Sequence, residues 1–159
     1  MLASPDLSLV IPPYKIEKSW AYFRNEGNCT AAAAQPSGTE ILIMAYDAEE
    51  KSFSISFTSQ RAFKLNDGDQ RMMDIRIHRP GGVLDDGWED VNFAVVRLPD
   101  EKAMFVSQPM DIPAARDFGE MEAVVFIDGG NTAGSFRMRD PKAAVKEMIR
   151  CAREQASKN

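Results

Sequence analysis

Phe53, Ser54, Ile55, Ser56, Phe57 and Thr58 alternate apolar and polar without a break. A period of two places the three large apolar side chains on one face of a strand and forbids a helix. The same period recurs where Met73, Ile75 and Ile77 alternate with Asp74, Arg76 and His78, and again at Val91, Phe93 and Val95. Turn-forming residues separate these runs: the polar loop 47–51, Asn66-Asp67-Gly68, Pro80-Gly81-Gly82 and Asp128-Gly129-Gly130-Asn131. The chain is therefore expected to be built of short strands joined by tight turns.

The remaining segments extend this pattern. Residues 19–34 read as two short strands broken at Asn25, Glu26 and Gly27, with the alanines at 31–34 too short a run for a helix before Pro36 and Gly38. Ile41, Leu42, Ile43 and Met44 read as a strand buried on both faces, 103–106 as a short apolar strand, and 110–118 as a turn or two of helix. Segment 123–127 and the strand through Phe136 and Met138 form a second hairpin about the glycine turn.

One long helix follows. Asp140 is its N-cap and Pro141 its first residue. Ala144, Val145, Met148, Ile149 and Ala152 form the face laid on a sheet, while Lys142, Lys146, Glu147 and Arg150 are expected to face water. About nine strands and one closing helix predict a mainly β protein, α+β by helix content: an antiparallel sandwich or partly open barrel with the C-terminal helix packed on it. Residues 1–18, with Pro5, Pro12 and Pro13, read as an extended arm, and 19–159 as a single domain.

Charge removes some classes of partner. The 19 basic residues are scattered among 24 acidic ones and the net charge is −5, so neither nucleic acid nor an anionic membrane surface is expected as a partner. No run of apolar residues is long enough to insert in a bilayer. The first thirteen residues lack the basic start of a leader, which leaves a cytosolic protein or a mature exported one.

Cys29 and Cys151 are the only cysteines. They bracket the folded region with no second Cys or His at metal-ligand spacing, so they read either as two buried thiols or as a disulfide joining the chain's ends. A lasting disulfide implies a periplasmic or secreted protein.

His78 is the only histidine, which rules out a site built on several imidazoles. Asp74, Arg76 and His78 share a strand face, so a small hydrolase using His78 and Asp74 is one reading, and a solvated mixed-charge face is the other. The acidic cluster Asp85, Asp86 and Glu89 around Gly87 and Trp88 lacks the ligand spacing of a calcium loop. It reads as a solvated turn, or as a binding loop that presents Trp88. No metal or cofactor is expected. Asn28, Cys29 and Thr30 form a glycosylation sequon that has meaning only in a glycosylating host.

Trp20, a strand opened by Cys29, the hairpins, Gly134 and Ser135, and a helix carrying Ala143, Ala144 and Cys151 form a layout of spacings. It resembles small exported proteobacterial proteins of the invasion-associated protein B-like type and related periplasmic proteins, although further paired cysteines of that family have no counterpart here. The resemblance implies a β-sandwich of the cell envelope without catalysis. The expected function is thus a non-catalytic binding module whose partner is another protein or an envelope component. The alternatives are the hydrolase and a cytosolic regulatory domain.

Overall fold

The alternating segment forms strand β5 (Ser52–Thr58), and Phe53, Ile55 and Phe57 are fully buried. The computed structural model describes residues 13–25, 28–34, 40–79, 84–99 and 102–158, with the backbone alone at 34 and 84–86. Before β5 come β1 (Lys15–Glu17), β2 (Trp20–Asn25), β3 (Asn28–Ala34) and β4 (Ile41–Asp47). After it come β6 (Gln70–His78), β7 (Leu84–Arg97), β8 (Ala103–Ser107), β9 (Ala123–Asp128) and β10 (Asn131–Arg137). They form one sheet in the order β1-β2-β3-β4-β5-β8-β7-β6-β9-β10, every neighbouring pair antiparallel.

This sheet curls. Strands β5 and β9 are separated by three others in its order, yet the Phe57 ring stacks on Phe126 with centroids 4.0 Å apart. Phe93, Phe105 and Phe136 pack edge-on or tilted around the same ring. Gly134 makes room for the cluster, because a Cβ there would lie 2.9 Å from the Phe57 ring. At the rim the Ser59 hydroxyl donates to the Ala133 carbonyl at 2.8 Å, and Arg61 pairs with the buried carboxylate of Asp128 at 3.0 Å. The result is a partly open barrel with β1 and β10 as its ends.

Helix α1 (Ile112–Gly119), capped by the Asp111 carboxylate on the Ala114 amide, packs against helix α2 (Pro141–Ser157). Asp140 caps α2 as expected, and the helix buries Ala144, Val145, Met148, Cys151 and Ala152 over β2, β3 and β4. Cys151 meets Cys29 of β3 as a disulfide with Cα atoms 6.0 Å apart. That spacing is ordinary for a disulfide. Helix α2 is thereby bolted to the first half of the sheet.

Three segments differ from their sequence reading. Leu42 and Met44 are buried, but Ile43 is half-buried and Ile41 is 37% exposed, because only the concave face of β4 is covered by the helix. The stretch opening at Asp85 is part of β7, not a loop, paired through Asp86 with Ile77 and through Gly87 with Arg76. Glu147 does not face water, since Tyr14 and Lys15 at the start of the sheet reach it. The sheet thus begins at Lys15, inside the stretch read as an arm.

Candidate functional site

Asp74, Arg76 and His78 do share the outer face of β6, as the period requires, but the two charged residues are committed elsewhere. One Asp74 oxygen accepts from the Asp90 amide at 3.0 Å, and Arg76 lies 3.7 Å from Asp74 and 3.4 Å from Glu89. The Asp90 amide needs that partner because Glu89 and Asp90 form a bulge. Met73 pairs with Val91 and Ile75 with Trp88, so two residues of β7 oppose one of β6, and Asp90 takes a left-handed φ of 53°. Asp74 therefore holds a bulge and does not orient an imidazole. The His78 carbonyl accepts from the Glu122 amide at 2.6 Å, while its ring has no hydrogen-bond partner among the described residues.

The same bulge turns Trp88 inward. Three positions instead of two separate it from Val91, so both lie on the concave face, and the indole stacks on Phe118 of α1 at 4.9 Å. Trp88 is a packing residue at the edge of the core. The Glu89 carboxylate is exposed beside Arg76. The side chains of Asp85 and Asp86 lie outside the described residues, and these acidic positions do not gather with Trp88 into one feature.

A concavity lies elsewhere, along the solvent side of α2. A groove of about 790 Å³ runs between α1, α2 and β1. Ile112, Gly119, Val145 and Ile149 contribute its apolar floor. Six cations line it, of which Lys15 pairs with Glu17 and Glu147, Lys142 with Glu120, and Arg150 with Glu147 and Glu154. Arg116, Lys146 and Arg153 are exposed and have no ion-pair partner among the described residues. On a chain of net charge −5, this groove carries a local excess of positive charge.

Glu147 organises one wall of it. Its carboxylate accepts from Arg150 at 2.7 and 3.0 Å and from the Tyr14 hydroxyl at 2.7 Å, with Lys15 at 3.9 Å. Arg150 holds the carboxyl down at about 2; burial opposes this, and Tyr14 and Lys15 add to it. Burial and the neighbouring Glu147 charge push the Tyr22 hydroxyl up to about 12. A carboxylate depressed by folding contributes stability that is fully present above its unfolded value, near 4.5, and is lost as pH falls towards 2.

After allowing for solvent screening, that contribution is about 1 to 2 kcal/mol. Glu147→Gln should therefore lower stability by about that much at pH 7, and the difference from the parent should shrink to nearly nothing near pH 2. Urea unfolding at both pH values measures it. An equal deficit at both would show that the charge is not what matters.

The sequence reading missed this groove because its residues come from 15–22, 112–120 and 142–153, and each set alone looks like solvated helix or edge strand. The one local signal was the excess of Lys and Arg on α2 next to Ile149. Among the described residues no three His, Cys, Asp or Glu side chains gather as a metal-binding set, and no helix is long and apolar enough to cross a membrane. Comparison of the chain with protein-family models, with curated proteins and with solved structures gives no match.

Proposed function

We propose that the protein is a non-catalytic binding module of the cell envelope that takes an acidic, partly apolar segment of another protein in the groove along α2. The groove carries this reading: an apolar floor of Ile112, Val145 and Ile149 beside three cations that no described carboxylate neutralises. Apolar contact supplies affinity there, and the uncompensated charge selects the partner's sign. The Cys29–Cys151 bond supports an oxidising compartment, periplasmic or extracellular, and the layout resembling invasion-associated protein B-like proteins points the same way. The hydrolase reading loses its orienting residue, because Asp74 is held by the Asp90 amide and Arg76. A cytosolic regulatory domain would have to keep the two facing thiols reduced.

A labelled short peptide alternating leucine and glutamate tests the groove, with its leucine–lysine counterpart as control. Fluorescence anisotropy should show binding of the acidic peptide alone, weakening as salt is raised. The double change Lys146→Glu with Arg153→Glu should reduce affinity by about 10-fold or more, and His78→Ala should leave it unchanged. Equal binding of both peptides, or an undiminished double variant, would overturn the assignment.

A further inference from the structure

The inward rows of three strands stay apolar until they reach one end of the barrel. Phe53, Ile55 and Phe57 of β5 are followed by Ser59, Val124 and Phe126 of β9 are followed by Asp128, and Met73, Ile75 and Ile77 of β6 are preceded by Arg71. A period of two keeps these side chains on the concave side, so the end residues gather at the barrel's mouth. A short helical turn (Ala62–Lys64) follows Ser59 and closes part of that mouth, with Ala62 fully buried. The turn is held on two sides. The Arg61 amide donates to the Ser59 hydroxyl at 3.2 Å, and Arg97 of β7 reaches the Phe63 and Leu65 carbonyls at 2.8 and 3.2 Å.

Between this turn, β6 and the end of β9 lies a cleft of about 300 Å³, lined by Gln60, Arg61, Lys64, Leu65, Arg71 and Asp128. Asp128 is 6% exposed, and a carboxylate buried that far requires a partner, which Arg61 supplies from one Nη at 3.0 Å. The contact fixes the guanidinium and leaves its other donors for a ligand. Lys64 and Arg71 are exposed and have no ion-pair partner among the described residues. Three cations against one carboxylate leave two positive charges around a small cleft, on a chain that is acidic as a whole. Such a set repels itself unless an anion sits between its members.

We propose that the mouth of the barrel is a binding site for a phosphate group, carried by a small organic monoester or free in solution. Mouths of β-barrels are common ligand sites, and a cavity of about 300 Å³ is at the small end of those that take one. A phosphate concentrates about two negative charges on one centre with three terminal oxygens, which suits three cationic side chains around one cleft. A dicarboxylate would spread the same charge over two centres, and a monocarboxylate would leave one positive charge unmatched. Leu65, half-buried at the wall, offers apolar contact to the organic part of a monoester. Asp128 is a positioning residue, aiming Arg61 at the ligand. None of the lining residues belongs to the groove on α2, so this site stands or falls separately from the peptide-binding reading.

Calorimetric titration of the chain with phenyl phosphate, inorganic phosphate and benzoate is the test. Phosphate should bind with a Kd of about 1 mM or below and weaken as salt is raised, while benzoate should bind at least about 10-fold more weakly. Phenyl phosphate binding tighter than inorganic phosphate assigns the site to an organic monoester; equal affinities assign it to phosphate itself. Lys64→Ala and Arg71→Ala should each weaken binding by about 10-fold and, at exposed positions, keep the parent's thermal midpoint. Asp128→Asn separates a positioned arginine from charge alone, because it removes a negative charge and yet should weaken binding by about 10-fold. If that variant fails to fold, the Lys64 and Arg71 variants decide. The proposal is overturned if neither phosphate binds up to about 10 mM, or if benzoate binds as well as phenyl phosphate. Binding that Lys64→Ala and Arg71→Ala leave unchanged, or a tighter complex with Asp128→Asn, would overturn it too.

Discussion

Replacing Cys29 and Cys151 together by alanine is expected to lower unfolding free energy by about 3 to 5 kcal/mol, the range for a bond that closes a loop of this length. The two positions are 122 residues apart and essentially fully buried, so alanine removes the crosslink without exposing a polar group to the core. A loss this large is a substantial share of a single domain's stability, which is commonly 5 to 15 kcal/mol. Urea unfolding of oxidised parent and double variant measures it, with a thiol count on denatured, unreduced protein alongside. A difference below about 1 kcal/mol would show that the bond does not constrain the unfolded chain as loop entropy requires. Two titratable thiols per oxidised chain would show that the bond is absent.

Ile55→Asp should abolish folding altogether. Ile55 has no exposure and sits between Phe53 and Phe57 on the face closed by helices and aromatic rings. Burying a carboxylate there without a partner costs several kcal/mol even after its pKa rises, and the lost apolar contact adds about 2 to 4 more. The sum is on the order of a domain's whole stability. Soluble Ile55→Asp protein with the parent's circular dichroism and a cooperative thermal transition would mean that β5 is in another register. Ser54→Asp, one residue away on the outer face, is the matching control and should fold.

Strand positions were legible in the sequence wherever apolar and polar residues alternate strictly, as at 53–58 and 73–77, because a one-residue slip there turns every large side chain into water. The caps of α2 were legible for a similarly local reason: Asp140 and Pro141 satisfy or remove amides that the helix leaves unbonded. Position 85–91 misled because a bulge inserts a residue without leaving a gap in composition. Asp74, sixteen positions upstream of Asp90, holds the inserted residue in place. Ile41 and Ile43 misled for a different reason: an apolar run looks the same whether its second face is covered or left partly open to solvent.

The groove on α2 was illegible because its walls come from both ends of the chain. What brings Tyr14 and Lys15 to Glu147 is the long-range fold, and no window of sequence contains all three. The Trp88 reading failed on the same scale. A tryptophan beside acidic residues looks presented for binding until Phe118, thirty positions later, comes to lie beneath it.

The placement of the Cys29–Cys151 bond also governs how the molecule would bear tension. A pull on the two chain ends reaches the bond after unpeeling β1, β2 and the last turns of α2, and there it stops, because the load passes from sulfur to sulfur. The aromatic barrel formed by β5 to β10 lies wholly within the bridged span and feels none of the force. Tension applied at either end is therefore kept away from the aromatic rings of β5 to β10.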